Sequence, residues 1–376
     1  MAKLKTDLSG KGSNIRNERA YAKSIGVKSP TVLTKAQLDE AVRLRELELG
    51  ISKEKFNIYD FSPDERKSLY PRITAKTRIQ MFTGYFDPFE EGDGVLRRDP
   101  YRAIPETDVY VAKELVDEYR MLAGDRVVGN VSVVPYNNVR VLKNVKYVNE
   151  EPTSRPVLRK PYDEMTDVPV SGRVEVGGNN ALAGIIQDVL CLGHGQSLSV
   201  SGYSPVTRGF FEHAAVELIK GLYMRFDGNV FGIFEKVSSD NERLLAPVLN
   251  PETVLLDGDR SQYPFMLEMM KRSVERGVNA VAVIYAPDYD AKAFVSAAKA
   301  KKDAGLTVIA FTREEIGAQA TVVFDGKSVS VGRLNNPLAS LVCGTDRHKR
   351  IFRALSSMDD APPDNVLSEF TELMNE

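Results

Sequence analysis

The chain has 376 residues, a formal net charge of -2, 43% hydrophobic and 27% charged residues, and only two cysteines and three histidines. That length suggests two or three domains with ample core, and the balanced charge advertises no global polyanion binder, although a basic patch can hide inside it. Cys191 and Cys343, both in apolar contexts, read as buried free thiols of a reducing compartment rather than a disulfide framework or a zinc site, and His194, His213 and His348 are too few for an imidazole metal centre.

The N-terminus is basic without an apolar core, and the longest apolar runs, such as 278–286, fall far short of a bilayer span. The chain is therefore expected to be cytoplasmic with no membrane partner. Residues 1–30 are polar and read as a flexible arm. "LTKAQLDEAVRLRELELGI" (33–51) predicts a helix capped by Thr34 and ended by Gly50, and "SPDERKSLYP" (62–71) a short one stopped by Pro71. Residues 1–76 thus form an arm and a helical N-terminal region.

From about residue 77 the period becomes two. Segments 78–86, 94–98, 108–112, 126–134 and 139–148 read as five strands, with a short helix in 113–125 between the third and fourth. This is the pattern of an OB-fold barrel over 77–149, although another small barrel has the same strand count. Residues 149–180 are rich in Pro, Glu and Gly and read as a linker (150–179). Apolar strands at 197–202, 229–237, 279–286, 306–312 and 320–326 then alternate with helices at 208–225, 259–276 and 289–304, which predicts a parallel sheet covered on both faces. The expected fold is therefore all-β followed by α/β.

Several stretches, in order, resemble the bacterial transcription termination factor Rho. "GDGVLRRDPYRAIPETDVYVAKELVDEYRMLAGDRVVGNV" (92–131) is similar to Rho's RNA-binding barrel, and "VRVLKNVKYVNEEPTSRPVL" (139–158) to its closing strand and linker. "LGHGQ" (192–196) stands where Rho has "IGKGQ", "YPFMLEMMKRSVERGVNAVAVI" (263–284) resembles the helix and strand before the Walker B aspartate, and "SEFTELMNE" (368–376) resembles the end of that chain. The resemblance covers roughly 80–376. It implies an OB-fold RNA-binding domain followed at 180–376 by a RecA-like, P-loop-NTPase-type domain, with ATP and Mg²⁺ as the family's cofactors.

Against the family's "APPKAGKT" loop this chain reads "GYSPVTRG" (202–209), so Thr207, Arg208 and Gly209 form a degenerate P-loop, with Arg208 at the lysine and Gly209 at the metal-holding hydroxyl. An arginine fork does not reproduce the lysine point charge. Ala286 takes the Walker B position, with Asp288 and Asp290 beyond it. Glu235 keeps the place of the catalytic glutamate, behind Phe234, and Arg333 falls near the arginine finger. The pore-loop segments are shortened. In the barrel the "GFGFLR" aromatics become Asp93 and Val95, while Arg97, Arg98, Tyr101, Arg102 and Tyr110 remain as RNA-binding candidates; the alternative is that Tyr110 packs inside and the arginines only solvate.

The expected protein is a Rho-like pseudoenzyme without an intact catalytic site or a metal of its own. It would act by binding single-stranded RNA, by self-association into a ring or by co-assembly with an active Rho. Two alternatives stay open: a working RNA-dependent ATPase built on Arg208, Glu235 and Asp288, and a structural oligomer without a nucleic-acid role.

Overall fold

Alternation of apolar and polar residues in one half of the chain and unbroken apolar runs in the other generate two unlike sheets. The computed structural model describes residues 15–48, 57–69, 79–134, 139–154, 159–170, 172–177, 181–246, 250–324 and 329–332. The chain divides into two compact units, residues 1–158 and 159–376.

The first unit begins with two helices, α1 (Ile15–Ser24) and α2 (Lys35–Glu48). Part of the segment expected as a flexible arm is thus helical: Tyr21, Ala22 and Ile25 bury against Leu38 and Val42. Thr34 and Gln37 cap α2 reciprocally, Gln37 taking the backbone N–H of Thr34 at 3.1 Å. The short helix α3 (Pro63–Lys67) starts from a capping box between Ser62 and Glu65, with proline in its first turn.

Strands β1 (Ile79–Pro88), β2 (Gly94–Arg97), β3 (Val109–Val111), β4 (Arg126–Val133) and β5 (Arg140–Val148) follow, with α4 (Lys113–Tyr119) between the third and fourth. They pair in the order β3-β2-β1-β4-β5, and a parallel β3–β5 pairing closes the sheet into an OB-like barrel. A two-residue strand, β6 (Glu151–Pro152), extends β5. Phe82, Phe86, Leu96, Val109, Val127 and Leu142 fill the interior. A second cluster lies on the barrel's outer side, where Ile58, Phe61 and Leu69 cover Val95, Tyr110 and Val141.

In the second unit α5 (Ala181–Gly184) and a following π-helical turn lead into β7 (Ser197–Ser201). The order continues α6 (Arg208–Arg225), β8 (Asn229–Phe234), α7 (Ser239–Leu245), β9 (Val254–Leu256), α8 (Tyr263–Glu275), β10 (Ala280–Tyr285), α9 (Lys292–Ala297), β11 (Leu306–Phe311), β12 (Ala320–Phe324) and β13 (Val329–Gly332). The seven strands lie in the order β13-β12-β7-β11-β10-β8-β9, parallel except for β13. Every residue of β10 and β11 is buried, as expected of a sheet covered on both faces. Numbered by first appearance, the five core strands run 5-1-4-3-2, a RecA-like arrangement. The chain leaves β7 toward β8 on one side and leaves β11 toward β12 on the other, so the order reverses at this pair. Ligand crevices of open α/β sheets form at the C-terminal ends of such strands.

Residues 159–170 and 172–177, expected as part of a linker, are instead a strap on this unit. The Tyr162 hydroxyl donates to the Ala297 carbonyl at 2.6 Å, and the Tyr162 N–H to Glu275 at 2.6 Å. Lys301, itself buried, reaches Asp167 at 2.6 Å and the Met165 carbonyl at 2.9 Å. Glycine and proline make this stretch read as loose in sequence, but its backbone and side-chain groups find partners more than a hundred residues away.

Cys191, expected as a free thiol, is buried and disulfide-bonded. Cys343 lies outside the described residues, and two cysteines so far apart in sequence carry no spacing signal for a pair. Among the described residues no helix is long and apolar enough to cross a membrane.

Candidate functional site

At the reversal point the turn after β7 runs from Gly202 to Thr207. Gly202 sits at φ +105°, and a Cβ there would lie 1.9 Å from the Phe324 carbonyl oxygen, so the close approach of β12 demands glycine. The interior of the turn is filled by its own hydroxyls. Thr207 Oγ1 donates to the Gly202 carbonyl at 3.0 Å and accepts the Ser204 N–H at 2.8 Å, while Ser204 Oγ accepts the Thr207 N–H at 3.3 Å. A phosphate cradle needs such N–H groups to converge on the ligand. Here both are spent within the loop. Arg208, the first residue of α6, turns aside and donates to the Lys236 carbonyl at 3.0 Å. Gly209 has open space around it and no hydroxyl to offer.

Beneath the turn four aromatic rings form a closed circuit. Tyr203 meets Phe211 at 5.9 Å, Phe211 meets Phe311 at 6.0 Å, Phe311 meets Tyr285 at 6.3 Å, and Tyr285 returns to Tyr203 at 6.4 Å. All four contacts are edge-on, the geometry the ring quadrupoles favour. Ala286 follows Tyr285 and is buried, so no carboxylate stands at the Walker B position.

The carboxylates that do stand at the strand ends are already paired. Glu235 takes a two-pronged bond from Arg260, both contacts at 2.6 Å, and a third from the Tyr263 hydroxyl at 2.7 Å. Burial works to raise its carboxyl, but the bonds from Arg260 and Tyr263 outweigh it and hold the group below its ordinary value. Asp288 binds Arg313 at 2.6 and 2.7 Å and lies 3.6 Å from Lys236. Its carboxyl is lowered chiefly by the Arg313 hydrogen bond. The Arg313 guanidinium lies 5.3 Å from the centre of the Tyr203 ring. Asp290 faces Lys292 at 3.5 Å. Arg333 lies outside the described residues.

Arg208, Glu235 and Asp288 therefore share the C-terminal rim of the sheet, but each is engaged by a protein group. These residues fit a magnesium nucleotide poorly: the N–H groups and hydroxyls of Ser204 and Thr207 are bonded within the loop, position 209 carries no hydroxyl for a metal, and Glu235 is bonded to Arg260 and Tyr263. Arg260 and Arg313 were not singled out in the sequence. No motif marks them, because each meets its carboxylate only through the fold.

On the barrel, the residues singled out separate into two groups. Tyr110 is 1% exposed; its ring lies under the 57–69 segment and its hydroxyl donates to Asp93 at 3.1 Å. Arg97 pairs with Asp87 across β1 and β2. Neither presents an open surface, which corrects the expectation for both. Arg98 and Arg102 are exposed, and Tyr101 between them is largely buried, its N–H on Asp99 at 3.0 Å.

The cover itself was missed. Arg66 is buried and donates to Asp93 at 2.8 Å, to Glu91 at 2.7 Å and to the Phe61 carbonyl at 2.9 Å, with its guanidinium 4.2 Å from the Phe89 ring centre. Asp93 immediately before the apolar start of β2 was the available signal, because a buried carboxylate demands a buried cation. Val95 is sealed in the same cluster.

No family model matches the chain, and no curated protein matches it. Among solved structures, the chain shows a distant likeness to an ATPase from the type III secretion system of pathogenic bacteria, which is 14% identical, covers 54% of this chain and 69% of its own, and superposes with a TM-score of 0.35.

Proposed function

We propose that this protein is a Rho-like factor that does not hydrolyse ATP and acts by binding, in transcription termination or its regulation. The observation that carries the reading is the Thr207 hydroxyl, which fills the turn where a phosphate would lie and engages the N–H of Ser204. The Glu235–Arg260 pair supports it, since a carboxylate held ionised by a guanidinium and a phenol is a poor proton acceptor. Binding is assigned first to single-stranded RNA, through exposed Arg98 and Arg102 on the barrel. Assembly with itself or with an active Rho is the further role of the RecA-like unit.

The test is phosphate release from Mg-ATP by the full chain, with and without RNA, together with the melting temperature in nucleotide. The expected result is no turnover above background and no shift in melting. Turnover that disappears in Glu235→Gln would overturn the proposal.

A further inference from the structure

The 57–69 cover closes one part of the barrel's outer surface and leaves another open. On the open part, Met81 of β1 pairs with Asn130 of β4, and Asn130 with Asn144 of β5. In the next row Thr83 pairs with Val128, and Val128 with Tyr147. Directly paired residues point to one side of a sheet, and the interleaved Phe82, Val127 and Val131 fill the interior, so these two rows face outward. Met81 is 67% exposed and Tyr147 43%.

Two irregularities interrupt the β4–β5 register, and Lys146 falls at the one between Val145 and Tyr147. Such bulges re-aim side chains. Lys146 Nζ crosses to within 3.9 Å of the Met81 sulfur, which puts its ammonium over the same two rows. Among the described residues Lys146 has no ion pair. The only carboxylate within β1, β4 and β5 is Asp87, already bound to Arg97.

We propose that this face of β1, β4 and β5 binds single-stranded nucleic acid. A half-exposed tyrosine gives a base a ring to stack on, and Met81 extends that platform. The amides of Asn130 and Asn144 sit side by side and offer donors and acceptors to base edges, and Lys146 supplies the phosphate contact. The row of amides and the lone positive charge favour a polyanion over an apolar protein partner. The site is distinct from the Arg98 and Arg102 surface; it rests on the binding role proposed above but not on the state of the ATPase site.

Fluorescence anisotropy of the full chain with labelled oligonucleotides of about 12 nucleotides tests it. Single-stranded RNA and DNA of one sequence form the two arms; RNA-only or equal binding identifies the natural strand, and either supports the face. Tyr147→Ala should weaken binding about 5- to 150-fold, while Tyr147→Phe keeps it. Lys146→Ala should reduce the salt slope by about 1. Unchanged melting temperatures exclude loss of fold as the cause. Binding that ignores Tyr147 and Lys146 but fails in the Arg98→Ala, Arg102→Ala double variant would overturn this face and leave the RNA-binding role standing. No binding of either strand by the parent chain would overturn both.

Discussion

Replacing Arg66 by methionine tests whether the barrel's cover is held by charge. The pair it forms with Asp93 is deeply buried, with side chains only 8% and 6% exposed. Methionine keeps much of the volume but leaves the Asp93 carboxylate with the Tyr110 hydroxyl as its remaining side-chain partner in this network. Breaking one side of a buried ion pair costs about 3–5 kcal/mol, because the other charge stays desolvated. A barrel of this size loses about 4 °C or more per kcal/mol, so calorimetry of the full chain should show its transition lowered by roughly 12 °C or more. Asp93→Asn removes the stranded charge and retains an acceptor for Tyr110. In that background Arg66→Met should cost less than about 2 kcal/mol, giving a coupling of at least about 1 kcal/mol between the sites. A cost below about 1 kcal/mol for Arg66→Met alone, or strict additivity in the double variant, would refute the reasoning and leave Ile58, Phe61 and Leu69 as the sole anchors.

Other consequences follow from the second unit. Glu235 is held below its ordinary carboxyl value, so its contribution to stability is in place at neutral pH and is lost as the pH falls through that lowered value. Urea unfolding should show Glu235→Gln less stable than the parent at pH 7, with the difference shrinking below about pH 4; a constant difference would contradict the assignment. Phe211 is fully buried in the aromatic circuit, and Phe211→Ala should cost about 3–5 kcal/mol, whereas Arg208→Ala should cost under about 1 kcal/mol in the same assay. Equal losses would show that Arg208 holds more than one exposed carbonyl.

The two sheets are legible because their residue patterns are local. "AVAVIY" needs both faces covered and becomes β10; the alternation in "RIQMFTGYF" becomes β1. Segments whose partners are distant in the chain are not legible in the same way. Helix α1 has few apolar positions and takes its burial from Leu38 and Val42. The helix expected over 289–304 shrinks to Lys292–Ala297, because Ala300 bridges to Gly305 and Lys301 turns to the strap. At the candidate site the turn at Thr207, Arg208 and Gly209 was legible as a strand-to-helix junction, because the strand, the Gly/Ser/Pro turn and the helix are contiguous in the chain. The partners of its neighbouring carboxylates were not legible: Arg260 stands 25 residues from Glu235 and Arg313 stands 25 from Asp288, with no periodicity linking them.

The strap has a consequence for biosynthesis. Tyr162 docks on a carbonyl 135 residues further along the chain, and Asp167 on a lysine 134 residues further. At translation rates of about 5–20 residues per second, the strap leaves the ribosome roughly 7–27 s before its docking surface exists. The first unit, ending at residue 158, has all of its contacts available by then. The nascent protein thus spends this interval with a completed barrel and an undocked strap, and the second unit closes over its own beginning only when residues 297–301 arrive.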